Sequence, residues 1–133
     1  MPGLQRAPRR APRLEPGRLL QAEHIAPTPT HPGARGVIDA HLDGLGLSRN
    51  IVARCAHFGQ IPEMVASSLL VLTTGRQYCE RFTARLPLTI LAPPLAFPPL
   101  GYYQLWHART QHSAAAAWLR ECVRKVADSL PKG

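Results

Sequence analysis

Histidine is the residue whose chemistry is most versatile near neutral pH, and this chain has six, of which His107 directly follows Trp106. A catalytic histidine needs a nucleophile, a carboxylate or a metal close to it. The chain contains no Gly-x-Ser-x-Gly elbow, no HExxH motif and no Cys/His pair at zinc-finger spacing. We therefore expect no enzymatic activity, no metal and no cofactor, and we interpret His107 as a partly exposed structural residue.

Three cysteines, Cys55, Cys79 and Cys122, are the other side chains with reactive or metal-binding potential. They are far apart, odd in number, and none belongs to a CxxC pair, which argues against a disulfide framework. Each lies in an apolar pattern, where a free cysteine behaves as a small hydrophobic residue. We interpret all three as structural.

Two glycine-containing loops are candidates for binding a small polar ligand. Residues 31–36, "HPGARG", precede a predicted helix whose free backbone N–H groups could receive an anion, with Arg35 adding a charge-assisted contact. The alternative is an ordinary connecting loop, since the chain has neither a GxxxxGK[ST] nor a GxGxxG motif. In residues 72–76, "LTTGR", Thr73 and Thr74 end an apolar run; they either hold a ligand or, for Thr74, cap the next helix.

The net charge of +8 is concentrated at the start of the chain. Residues 1–18 contain five arginines, one glutamate and four prolines, so they hold half of the excess and have little hydrophobic content. We predict a disordered Arg/Pro-rich tail there. Its charge would suit phosphate binding, but an arginine-rich, alanine-rich composition is also typical of a GC-rich genome.

Hydrophobic periodicity after residue 19 predicts an α/β fold with a parallel sheet, because strands and helices alternate along the chain. The predicted strands are residues 23–28, 49–58, 69–74 and 88–93, and the predicted helices are residues 36–46, 59–68 and 75–86. The 69–74 run is continuously apolar, as in a strand covered on both faces. Gly46 is predicted to end the first of these helices in a left-handed conformation.

Four prolines in residues 93–100 interrupt this alternation, because proline cannot donate to a central strand. Residues 101–108 then predict one more strand, and Ser113 is a suitable N-cap for a final helix.

Four stretches, taken in order, resemble the C-terminal half of LysR-type transcriptional regulators. These are "GVIDAHLDGLGLSRNIVARCAHF", with an aspartate in a helix and then a "GL-R" pattern; "MVASSLLVLTTGR"; "LPLTILAPPLAFPPLGYYQLWHART", with its "WH-R" ending; and "AAAAWLRECV", similar to the closing "WLR" helix. The similarity runs from about residue 19 to 130 and is nearest to regulators that sense aromatic compounds. One departure is Gly75, where relatives often have proline.

The resemblance implies a fold like that of type 2 periplasmic binding proteins, in which two α/β subdomains flank an effector cleft. Residues 19–92 would be one α/β subdomain, residues 93–100 the proline-rich crossover, and residues 101–130 a return strand and C-terminal helix. It also implies a homodimer. DNA would be contacted only through a winged helix-turn-helix, which this chain lacks.

Seven positions match the effector cleft of the family, which is the basis for the predicted site. They are Arg35, Gly36, His57, Phe58, Thr74, Gln104 and Leu105. Gln104 stands out as a polar residue in an apolar stretch, although an exposed edge residue would look the same.

The predicted function is therefore that of a partial effector-binding regulatory domain, which senses a small organic ligand of aromatic or anionic character. A stand-alone small-molecule binding protein and a nonfunctional truncated regulator are the alternatives, with an enzyme a more distant one. No apolar run approaches the roughly 20 residues that span a bilayer, and residues 1–18 lack the apolar region of a secretory signal. We expect a cytoplasmic protein without a membrane partner.

Overall fold

The computed structural model describes residues 14–130, in which the chain forms two compact units. The first unit ends at Pro98 and the second begins at Pro99. This boundary falls inside the 93–100 segment in which the sequence predicts a crossover.

The first unit is built around a small parallel sheet. Helix α1 (Pro16–Gln21) leads into strand β1 (Glu23–Pro27), and helix α2 (Val37–Gly44) connects it to strand β2 (Asn50–Cys55). The strands pair in parallel from Glu23 opposite Asn50 to Pro27 opposite Cys55, with a register shift between His24 and Ile25. This βαβ arrangement confirms the predicted α/β alternation over this part of the chain.

The core of this unit lies around the middle of β1. His24, Ile25 and Ala26 are buried, and the other buried residues of the described part of the chain are Leu19, Leu42, Ile61 and Pro62. Strand β2 instead alternates between exposed and half-buried residues, with Ile51, Ala53 and Cys55 on the half-buried face. The sheet is therefore covered most completely over β1.

Helix α2 ends as the sequence predicts. Gly46 has a φ of +68°, and its N–H donates to the Asp43 carbonyl. The Leu47 N–H donates to the Leu42 carbonyl over 2.8 Å, which completes a Schellman motif. The opposite end of α2 begins at the N-cap Gly36, which provides no side-chain hydrogen bond.

Two further helices follow in the first unit. A short 3-10 turn at Phe58–Gln60 precedes helix α3 (Ile61–Ala66), and helix α4 (Arg76–Thr83) begins after the loop at 72–75. The 3-10 turn and α3 replace the single predicted helix at 59–68. The proline-rich segment also contacts this unit, since His41 Nε2–H donates to the Ala96 carbonyl over 2.9 Å and its ring lies 5.4 Å from that of Phe97.

Two predicted strands of this unit are wrong. Residues 69–74 form only an isolated bridge from Val71 to His24, and Leu69 is 95% exposed rather than covered on both faces. The bridge does not extend because the Ser68 hydroxyl and the Leu70 N–H are held in a local turn after α3. Residues 88–93 form no strand beyond an isolated bridge at Ala92, because the Leu88 N–H donates locally to the Leu86 carbonyl and Pro93 has no N–H to donate.

The second unit consists mainly of helix α5 (Ala114–Ser129), preceded by a 3-10 turn at Ala108–Thr110. Ser113 caps the helix as predicted, because its Oγ accepts from the Ala116 N–H over 3.3 Å. The predicted return strand at 101–108 is wrong: residues 101–107 are irregular. A strand needs a paired neighbour, and no other strand exists among the described residues of this unit.

The N-terminal prediction also needs a correction. Pro16, Gly17 and Arg18 lie in α1 rather than in a disordered tail, and Pro16 stands at the first position of that helix, where it is tolerated. Residues 1–13 of the predicted tail lie outside the described part of the chain.

Candidate functional site

A pocket of about 130 Å³ lies at the N-terminal end of α2 and beside the start of β2. Its lining combines the loop before α2, one face of that helix, the turn that follows it, and two residues of β2. The lining residues are Ala34, Arg35, Gly36, Asp39, Leu42, Asp43, Ser48, Arg49, Ile51 and Arg54. Three arginines and two aspartates make it strongly polar.

The two aspartates of the pocket are already paired. Arg49 binds Asp39 through two hydrogen bonds, Nε to Oδ1 at 2.6 Å and Nη2 to Oδ2 at 3.1 Å. This pair is largely buried, with side chains 5% and 15% exposed. Arg35 contacts Asp43 at 2.7 Å, but both of those side chains remain well exposed. The Arg49–Asp39 pair is therefore a buried part of the pocket lining, and the Arg35–Asp43 pair is a surface contact.

Hydrogen bonds from Arg49 hold the pKa of Asp39 below its usual value, despite partial burial. The nearby charges of Arg54 and Arg35 act in the same direction. Arg54 itself donates to the Pro27 carbonyl over 3.1 Å and forms no ion pair with any described residue. The pocket thus keeps one positive charge that no carboxylate neutralises.

His24 is a fully buried histidine near this arrangement. Its Nε2–H donates to the Leu19 carbonyl over 2.7 Å, and burial lowers its pKa, with the positive charge of Arg49 contributing further. Two buried polar atoms, His24 Nδ1 and Arg49 Nη1, have no hydrogen-bond partner within residues 14–130. The first is an acceptor in the neutral ring and the second is a donor.

An aromatic cluster lies where the chain passes from the 3-10 turn to α4. The ring centroids of Phe58 and Tyr78 are 4.5 Å apart, and those of Tyr78 and Phe82 are 5.0 Å apart. The Tyr78 hydroxyl donates to the Phe58 carbonyl over 2.8 Å. Exposed His57 directly precedes this cluster.

The structure brings some of the predicted site residues together. Arg35 and Gly36 both line the pocket, whereas His57, Phe58 and Thr74 do not. Thr74 is half-buried in the loop before α4, and the N-cap of that helix is Gly75, so the capping role considered for Thr74 is wrong.

Gln104 and Leu105, predicted from the return strand, lie in the second unit. The Gln104 Nε2–H donates to the Arg120 carbonyl over 3.2 Å, and Leu105 is 94% exposed. Their predicted role in ligand binding stays a prediction.

Sequence reasoning missed Arg49 and Arg54 as pocket residues. Arg49 belongs to the "GL-R" pattern, and its partner Asp39 lies ten residues earlier on the polar face of a predicted helix. The Schellman turn between them brings the two side chains together. The turn glycine, with an aspartate before it and an arginine after it, is therefore the sequence feature that could have predicted the pair. Arg54 lies on the exposed face of β2, where sequence alone gives no reason to single it out.

Two negative observations apply to residues 14–130. No group of three or more His, Cys, Asp or Glu side chains is placed to hold a metal ion. No helix among these residues has the length and apolar character needed to cross a membrane.

Comparison with known proteins identifies the domain. The family model for the LysR substrate binding domain matches residues 4–128, so the matched region begins earlier than the resemblance from residue 19 indicated, and much of the predicted tail falls within it. The chain is also 33% identical over 69 residues to HTH-type transcriptional regulator SyrM 1 of Sinorhizobium fredii (strain NBRC 101917 / NGR234). That alignment covers 52% of this chain and 20% of the relative, so the chain matches about one fifth of that protein. The chain belongs to the LysR substrate-binding domain family.

Proposed function

We propose that this chain is the effector-sensing part of a LysR-type transcriptional regulator and that it binds a small organic ligand without transforming it. The observation that carries this proposal is the pocket at the N-terminus of α2, found in a chain that matches a substrate-binding domain over residues 4–128. Arg35 and Gly36, selected from the sequence for a binding role, line that pocket.

The proposed ligand class rests on two features of the first unit. The arginine-rich pocket favours a negatively charged group. The Phe58–Tyr78–Phe82 cluster offers half-buried ring surface, and aromatic rings associate at the centroid separations seen within it. We propose an aromatic acid, with His57, Phe58 and Thr74 as further contacts.

The proposed mechanism is a shift between conformations. A ligand changes the populations of two arrangements only to the extent that it binds one more tightly than the other. In the proposed regulator, ligand binding would favour one arrangement of a homodimer, and a winged helix-turn-helix outside this chain would contact DNA.

A thermal-shift screen of aromatic carboxylates against their neutral amides tests the proposal. A ligand at 100 times its dissociation constant stabilises the folded state by about 2.7 kcal/mol. For a domain of this size that corresponds to a rise in Tm on the order of 10 °C. The acids should produce such a rise and the amides should not.

The matched variants are His57→Ala and His112→Ala, both of which replace an exposed histidine. The first should reduce the ligand-induced rise and the second should leave it unchanged. Absence of stabilisation by every acid at saturating concentration would contradict the proposed function.

A further inference from the structure

We infer that the pocket at the start of α2 is an oxyanion subsite, built to receive a carboxylate or phosphate group through Arg49, Arg54 and the first turn of the helix. This inference rests on the proposed function in taking the anion to be part of the effector. The subsite itself can be tested with simple anions, whatever the effector is.

Charge is the first support. Among the lining residues, the carboxylates of Asp39 and Asp43 are each paired with an arginine, at 2.6 Å and 2.7 Å respectively. Arg54 has no carboxylate partner among the described residues, and its only hydrogen bond there goes to a backbone carbonyl. The pocket therefore attracts a negative group even though two acidic residues line it.

The buried guanidinium of Arg49 is the second support. Only 5% of its side chain is exposed, and its Nε and Nη2 both donate hydrogen bonds to the Asp39 carboxylate. Nη1 has no acceptor among the described residues, although a buried donor without a partner is costly. An oxygen atom of an anion bound in the pocket, which Arg49 lines, is the acceptor that this donor lacks.

The start of α2 is the third support. Gly36 precedes the helix in an extended conformation and offers no side-chain acceptor to its first turn. The N-terminal N–H groups of a helix are free to bind an anion when no cap occupies them. Asp39 lies in that first turn, but both of its oxygens already accept hydrogen bonds from Arg49.

The size of the pocket limits the group that it can hold. With a volume of about 130 Å³, the pocket has room for a small oxyanion such as a carboxylate or a phosphate group. The remainder of a larger effector must extend outside it.

Titration of the full chain with sodium acetate and with inorganic phosphate, followed by ¹⁵N–¹H NMR at constant ionic strength, tests the subsite. Sodium chloride keeps the ionic strength fixed, and acetamide is the neutral analogue of acetate. The expected result is a saturable shift of the backbone amides at 36–39 and 49–54 with both anions and none with acetamide. This readout needs no substitution.

Arg54→Gln and Arg76→Gln form a matched pair, since both replace an exposed arginine of the first unit and only Arg54 lines the pocket. Arg54→Gln should weaken the affinity for either anion at least fivefold, and Arg76→Gln should leave it unchanged. Equal weakening by both variants would show general screening of a basic chain and overturn the inference, as would unsaturable shifts or equal binding of acetamide.

The outcome separates this inference from the proposed function. Saturable anion binding at 36–39 and 49–54, together with a failed screen of aromatic acids, supports the subsite and contradicts the proposed effector class. An aromatic acid that stabilises the chain and shifts the amides of His57 and Phe58 but not those of 36–39 and 49–54 supports ligand sensing and overturns the subsite.

Discussion

Replacement of Asp39 by alanine should destabilise the first unit strongly. The substitution removes both acceptors of Arg49, whose side chain is 5% exposed, and leaves its positive charge buried without a partner. Breaking a buried pair from one side costs about 3–5 kcal/mol. Because the Asp39 side chain is itself 15% exposed, we expect about 3 kcal/mol, at the lower end of that range.

Asp43→Ala is the matched control, since it removes the same side chain from the same helix. The Arg35–Asp43 pair has side chains 62% and 38% exposed, and exposed pairs contribute about 0–1 kcal/mol. The free energy of unfolding, measured by urea denaturation with far-UV circular dichroism, should therefore fall much more for Asp39→Ala than for Asp43→Ala.

A second substitution shows where the cost comes from. If the penalty of Asp39→Ala is the unpaired charge of Arg49, then adding Arg49→Met should recover part of the lost stability. Equal destabilisation by Asp39→Ala and Asp43→Ala would mean that burial of the Arg49–Asp39 pair has no energetic consequence and would contradict this prediction.

Three further predictions concern the fold and its pH dependence. Ile61→Ala, at a fully buried residue, should lower the free energy of unfolding by about 3 kcal/mol in urea denaturation, whereas Leu69→Ala should change it by less than about 0.5 kcal/mol. Similar losses for the two variants would indicate that Leu69 is buried, as in the strand predicted at 69–74. Gly46→Ala should lower the Tm through a cost of about 1 kcal/mol, because alanine resists a φ of +68°, and an unchanged Tm would contradict the Schellman geometry. Burial lowers the pKa of His24 in the folded state. The stabilising contribution of the neutral His24 is therefore complete above its unfolded pKa of 6.5 and is lost as the pH falls from 6.5 toward the lower folded pKa. The urea midpoint should drop between pH 7.5 and pH 5.0, and His24→Gln should make that drop smaller.

The sequence predicted the local elements better than the sheet. The 36–46 helix, the left-handed Gly46 and the Ser113 cap follow from interactions within a few residues, and the structure confirms them. The strands at 69–74, 88–93 and 101–108 were predicted from apolar runs alone. A strand depends on a pairing partner elsewhere in the chain, and a local pattern does not show whether that partner is present.

The lining of the candidate pocket was predicted only in part for a similar reason. Loop composition before a helix was sufficient to select Arg35 and Gly36, which line the pocket. Arg49 and Arg54 line the pocket because of the turn after α2 and the register of β2, and a local sequence pattern shows neither. The orphan donor of Arg49 depends on burial, and an isolated arginine in a sequence carries no sign of that.

The most direct test of the effector-sensing account is to map an aromatic carboxylate from the thermal-shift screen onto the full chain by ¹⁵N–¹H NMR. Saturable shifts are expected at residues 34–39 and 49–54, which include the pocket lining, and at His57 and Phe58, and Arg54→Gln should reduce the affinity. Saturable shifts confined to α5, or the absence of any saturable shift with every acid tested, would contradict it.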